Sequence, residues 1–228
     1  MAHSSAILAE FGADICRQRF PMTIYNSKLT ITADILAECE RFAQASAPTN
    51  MSALSRRGQT NPEAIKRQIK TGKIAEVLVH AEVQKEFPKL TAPDFNIYTK
   101  KDKSWDPDLK DVDSSLRLAV KAQEYESALQ YHESWVFQFN DGKNYDCDQE
   151  IFGKNINPNQ YVAFVLLNTP KRSGQIRAIV KVQWLHDKKL FQPMALKKFS
   201  TTNNKLAVYY DHPEFNSLIK YQDELWQL

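Results

Sequence analysis

The chain has 228 residues, 43% of them hydrophobic and 11% aromatic, with a formal net charge of +3. Folding at this length buries roughly 70–75% of the surface exposed by the unfolded chain, so a core can form without disulfides or metal clips. No run approaches the roughly 18 uncharged apolar residues of a transmembrane helix, which argues against a membrane partner.

The opening segment MAHSSAILAEFGADICRQRF carries Glu10 and Asp14 among its apolar residues and lacks the basic start and apolar run of a signal peptide. The three cysteines, Cys16, Cys39 and Cys147, show no CxxC or Cys/His metal spacing. Both features point to a reduced, cytoplasmic protein. Thr32 to Ser46 predicts a helix, with Thr32 as cap and Ile35, Leu36, Cys39 and Phe42 on one face. The polar stretch SAPTNMSALSRRGQTNPE, with two prolines and a glycine, predicts a loop. Asn61-Pro62-Glu63 is a helix start: a capping amide, proline in the first turn and an acid at the positive end of the dipole. From there Ile65, Ile69, Ile74, Val77, Leu78 and Ala81 keep a helical period towards Phe87, with Thr71-Gly72 a point of interruption and Pro88 the stop.

Three strands are predicted next, at Phe95–Thr99, Trp105–Val112 and Leu116–Gln123, with Asp111 to Ser115 turning between the second and third. Glu124–Tyr131 reads as a short helix, Ser134–Phe139 as a strand and NDGKNYDCDQE as a loop. Tyr161–Leu167 is the most apolar strand, expected to be buried on both faces, and Ile176–Leu185 is a further strand. The expected fold class is therefore α/β (α+β), a central mixed sheet flanked by helices in a single domain over residues 1–228. Residues 1–61 would form an N-terminal helical elaboration of that domain and residues 171–228 a C-terminal one.

Charge is unevenly spread. Residues 50–75 carry Arg56, Arg57, Lys66, Arg67, Lys70 and Lys73 against Glu63, a local +5. Residues 171–205 carry nine basic residues, beginning with Lys171 and Arg172, against Asp187, a local +8. The remainder sums to about −10, so two basic regions stand beside an acidic one, an arrangement suited to a polyanion and a cation-dependent site. Solvated surface is the plainer account of either run.

The chemistry-bearing residues lie in the strands. In Leu116-Arg-Leu-Ala-Val-Lys-Ala-Gln123, positions 119, 121 and 123 share a face. Asp106 and Asp108 lie about ten residues earlier, so a hairpin would bring an aspartate to Lys121. A carboxylate can hold a divalent cation on a scissile phosphate, and an ammonium can stabilise the charge that develops there. A turn role for Asp108, an edge-strand role for Lys121 and a surface role for Glu76 are the plainer readings of the same residues. Asp94, in a second Pro-Asp pair, lies further from Ala119 and ranks below Asp108. The histidines, His80 and His132 among them, do not cluster, and Trp135, Phe137 and Trp184 read as core.

Pro107-Asp108, ten residues, then Ala119-Val-Lys121 resembles the motif of the PD-(D/E)XK nuclease superfamily, in the manner of type II restriction endonucleases. Gln123 two residues after the lysine, and Gly72 and Glu76 on the preceding helix, extend the resemblance over roughly residues 62–168. It implies an αβββαβ restriction-endonuclease-like core and Mg²⁺-dependent, site-specific hydrolysis of double-stranded DNA by a homodimer. It also implies catalytic roles for Asp108, Lys121, Glu76 and Gln123, with Asp108 and Glu76 as metal ligands. Arg56, Arg57, Lys66, Arg67, Lys70, Lys73, Lys171 and Arg172 would then contact DNA. The departure is Ala119, where that family carries an acid. Three accounts of it compete: Glu76 replaces the acid, Gln123 or Asp106 supplies an oxygen, or the chain binds DNA without cutting it. An interaction protein using its basic segments on a protein partner is the reading from a different class.

Overall fold

A computed structural model describes residues 22–23, 28–56, 60–98, 107–113, 115–139, 148–153, 156–194, 205–215 and 217–218. Two long helices precede the sheet: α1 (Ala33–Arg56) and α2 (Pro62–Val83). Helix α1 runs ten residues beyond the predicted end and passes through Pro48. Proline removes a helical donor and normally stops or kinks a helix. Here the Thr49 hydroxyl and the Asn50 amide both donate to the Ser46 carbonyl, at 2.8 and 2.9 Å, and buried Ala43, Ser46 and Ala47 hold that turn against the core. Helix α2 starts as its sequence dictates: the Asn61 side chain accepts from the N–H groups of Glu63 and Ala64, at 3.0 and 3.1 Å. It does not break at Thr71-Gly72, because Thr71 is buried and its hydroxyl donates to Glu124 at 3.2 Å.

The main sheet is mixed. Strands β1 (Met22–Thr23) and β2 (Lys28–Thr30) both pair with β7 (Ser173–Lys181), followed by β6 (Gln160–Asn168), β4 (Arg117–Glu124) and β3 (Leu109–Lys110). Strands β4 and β6 are parallel, with Lys121 opposite Phe164, and the other pairings are antiparallel. The crossover from β4 to β6 passes through α3 (Tyr125–Tyr131), β5 (Ser134–Gln138) and α4 (Gln149–Phe152). Strand β5 does not join the main sheet; it pairs with β9 (Lys205–Tyr209), which pairs with β8 (Gln192–Pro193).

Strand alternation divides the core. Tyr161, Ala163, Val165 and Leu167 pack with Ile74, Ala75, Leu78 and Val79 of α2, while Val162 and Phe164 pack with Trp135, Phe137 and Val208 of the smaller sheet. Strand β6 is buried on both faces as its composition predicts. The fold class read from the sequence, a mixed sheet flanked by helices, is the one observed. No described helix is long and apolar enough to cross a membrane.

Three predicted strands differ in the structure. Phe95 lies in a segment without regular structure, because its ring packs edge-on against Phe42 at 5.5 Å instead of feeding a ladder. Of Trp105–Val112, only Leu109–Lys110 is strand, with a lone bridge from Leu90 to Asp111; residues 105 and 106 lie outside the described ones. Strand β7 ends at Lys181, and Val182–Asp187 forms helix α5, whose Val182 and Leu185 are buried three residues apart. Cys39 is a free, fully buried thiol, and burial raises its pKa to about 12. Cys16 and Cys147 lie outside the described residues.

Gly174 marks the closest approach of β7 to α2. A Cβ there would stand 2.5 Å from Leu78 Cδ1 and 2.9 Å from Leu167 Cδ2, two leucines packed in the core. Gly174→Ala is expected to destabilise the protein by about 1–3 kcal/mol through overpacking. The measurement is a lowered urea midpoint at unchanged slope.

Candidate active site

The end of the β3–β4 ladder builds the site. Leu109 pairs with Leu118, and Pro107, two residues before Leu109, has no N–H to continue the ladder. The Asp108 carboxylate takes over that edge by accepting the Val120 N–H at 2.7 Å. Groups from both faces of the sheet reach this gap. Glu76 comes from α2 on the helical side, and Lys121 comes from β4 on the side of the smaller sheet.

Glu76 forms an ion pair with Lys73, one turn earlier in α2. Lys73 is itself buried, with its ammonium 4.9 Å from the Phe42 ring centre and 5.5 Å from that of Phe95, and it donates to the Asp94 carbonyl at 2.9 Å. Burial raises the Glu76 pKa to about 8; the charges of Asp108 and Asp94 push the same way and Lys73 opposes them. Asp108 is open to solvent at the gap, yet surrounding protein deprives it of bulk water and raises its pKa. The Val120 N–H, Lys121 and Lys73 hold that rise back, and Asp148 adds to it. Asp94 behaves differently. Burial alone would raise it, but the Tyr98 hydroxyl, donating at 2.6 Å, and the Asn96 N–H, at 2.9 Å, bring it below the usual carboxylate value.

On the opposite face, the Lys121 ammonium lies 5.0 Å from the Phe137 ring centre and 3.0 Å from the Asp148 carboxylate. Ala119, two residues earlier, is buried among the apolar side chains of that layer.

Asp108 thus lies at a sheet edge with Glu76 on the helical face and Lys121 on the opposite one, each electrostatically coupled to it, while Gln123 has other work. Its amide donates to the His132 carbonyl at 3.0 Å and accepts the Ser134 N–H at 2.8 Å, which braces the connection into β5. Lys73, expected to touch DNA, is withdrawn from the surface because Glu76 needs a buried counter-charge. Lys66 pairs with Glu63 and Lys70 with Glu40, each at 2.8 Å. Arg67 is exposed on α2, and Lys171 and Arg172 are exposed at the β6–β7 turn. Arg57, the side chain of Arg56 and all of Asp106 lie outside the described residues. Two charged residues near the site are not read from the sequence as ion-pair partners of the candidate groups. Lys73 falls among the surface cations of its segment, although its place three residues before Glu76 on one helix face is a usable signal. Asp148 falls within a polar loop pattern, although its carbonyl opens a short helix by accepting from the N–H groups of Ile151 and Phe152.

No family model, curated protein or solved structure matches this chain.

Proposed function

We propose that this protein is a Mg²⁺-dependent endonuclease of double-stranded DNA, acting as a cytoplasmic, site-specific homodimer of the restriction type. The observation that supports this reading is the place of Asp108 at the end of the β3–β4 ladder, where its carboxylate is held by Val120 N–H and its charge is felt by Glu76 on one face while it feels that of Lys121 on the other. Asp108, Glu76 and Lys121 are the residues singled out by resemblance to the PD-(D/E)XK nucleases.

Among the described residues, no three His, Cys, Asp or Glu side chains form a ready-made metal cage. The donor set nevertheless fits Mg²⁺, which takes oxygen ligands and keeps several of its waters, so that one or two carboxylates suffice. Asp108 and Glu76 both offer carboxylate oxygens, Asp108 exposed at the gap, and the Asp108 charge that helps raise the Glu76 pKa is a repulsion that a cation would relieve. Held by Asp108 and Glu76, Mg²⁺ would supply Lewis-acid polarisation of the scissile phosphate and lower the pKa of a water. The chain's own residues do the rest. Asp108 orients through its bond to Val120, Glu76 approaches from α2 with Lys73 holding its second side, and the Lys121 ammonium stabilises charge developing on the phosphate. Exposed Arg67, Lys171 and Arg172 would supply phosphate contacts.

The test is incubation of the purified chain with plasmid DNA and Mg²⁺. Discrete fragments that vanish with EDTA are expected. Alanine at position 119 favours a second reading, a protein on the same fold that binds DNA without cutting it. Salt-sensitive DNA binding without cleavage would establish that reading instead, and no affinity for DNA would remove both.

A further inference from the structure

Resting on the nuclease reading, we infer that Asp148 is a positioning residue for Lys121, supplying from outside the strand the anion that position 119 lacks. Residues 119 and 121 share one face of β4, so an acid at 119 would stand beside the lysine. Ala119 is instead 8% exposed among Trp135, Phe137, Phe164 and their neighbours, where an unpaired charge is costly. The negative partner comes from 27 residues beyond Lys121, at the start of α4.

The mounting of Asp148 suits that role. Its N–H donates to the Gln138 carbonyl at 2.9 Å, and its Oδ2 accepts the Gln138 N–H at 2.9 Å, so backbone and side chain are clamped to the end of β5. Its own carbonyl accepts from Ile151 at 2.9 Å and Phe152 at 3.0 Å, and Ile151 is buried in the core. A lysine has four rotatable stem bonds and loses much freedom when held in one place. The Phe137 ring beneath the ammonium and the Asp148 carboxylate beside it define one location for that charge. That location is near Asp108, since the charges of both Lys121 and Asp148 are felt there. The carboxylate thus holds the ammonium at the sheet edge before any phosphate arrives. It touches no reacting atom itself.

Asp148→Asn separates this role from folding, because the amide oxygen still accepts the Gln138 N–H while the charge is gone. With the full chain, Mg²⁺ and a cleavable plasmid, single-turnover cleavage should slow on the order of 10²-fold, with DNA affinity and thermal midpoint unchanged. In a Lys121→Ala background the same substitution should cost nothing further, since the two act as one unit. Asp148→Glu should recover part of the rate. Asp148→Ser, which keeps a short oxygen acceptor without charge, gives the same result by a second route if the asparagine variant folds poorly. An unchanged rate in Asp148→Asn, or an equal loss with and without Lys121, overturns the assignment and leaves the nuclease reading standing. No cleavage by the wild-type chain overturns both.

Discussion

Lys121→Ala should lower the rate of Mg²⁺-dependent DNA cleavage by about 10²–10³-fold while leaving DNA affinity nearly intact, the range expected when one group stabilising transition-state charge is removed. Its removal leaves Asp148 without its counter-charge, but that carboxylate is 28% exposed and keeps the Gln138 N–H. The folded state should therefore survive, and circular dichroism with a melting curve checks that. Asp108→Asn completes the argument at the other side of the gap. The amide oxygen can still accept the Val120 N–H, so the strand edge keeps its bond, weakened by about 1 kcal/mol as a charged acceptor becomes neutral. Activity should fall at least as far as in Lys121→Ala, and added Mg²⁺ should not restore it. If Asp108→Asn and Lys121→Ala both cleave plasmid at the wild-type rate, the site lies elsewhere.

Glu76→Gln should make the metal-free protein more stable at alkaline pH, with little change near pH 4. The Glu76 pKa is raised to about 8 from an ordinary 4.5 by burial and by the nearby Asp108 charge. Between those values the unfolded chain has lost the proton and the folded chain keeps it. The folded state therefore binds more protons, and stability falls as pH rises through that window. Above pH 8 the loss is complete and reaches a few kcal/mol at most, at about 1.4 kcal/mol per unit, the opposing charge of Lys73 being already contained in the raised value. An amide at this position has no proton to lose, so the variant's melting temperature should vary less with pH than that of the wild type. A shift of about 2–4 °C per kcal/mol makes the effect visible by calorimetry. The same substitution should depress cleavage, because the amide cannot supply a negative ligand oxygen. Full activity in Glu76→Gln would remove Glu76 from the site and leave Asp108 as its carboxylate.

The two carboxylates are legible for different reasons. Asp108 can be found because Pro107-Asp108 immediately precedes the short strand β3, which pairs with the strand carrying Lys121, and such pairing is local. Glu76 is singled out by the resemblance, through the glycine that precedes it by four residues on a helix. Helix α2 itself is clear from Asn61-Pro62-Glu63, and β6 from its unbroken apolar run. Other elements depend on partners far away in the chain. Pro48 stays inside α1 because buried Ala43, Ser46 and Ala47 hold that turn against the core, with Thr49 and Asn50 donating to the Ser46 carbonyl beside it. Phe95 leaves its strand pattern because Phe42 and Lys73 lie across from it. Gln123 shares the strand face of Lys121, but the backbone of His132 and Ser134 takes both ends of its amide.

By itself the sequence determined the period of each long segment, the cap of α2, the two-sided burial of β6 and the placing of Asp108 beside β4. These follow from chirality, side-chain alternation and hydrogen bonding over a few residues, and they need no knowledge of distant neighbours. Only the tertiary structure decided how deeply the Lys73–Glu76 pair is buried, although its spacing along one helix is local, and only it carried Asp148 across 27 residues to Lys121. The first depends on the desolvation that a layered core imposes and the second on the crossover between β4 and β6, and neither is written in local spacing.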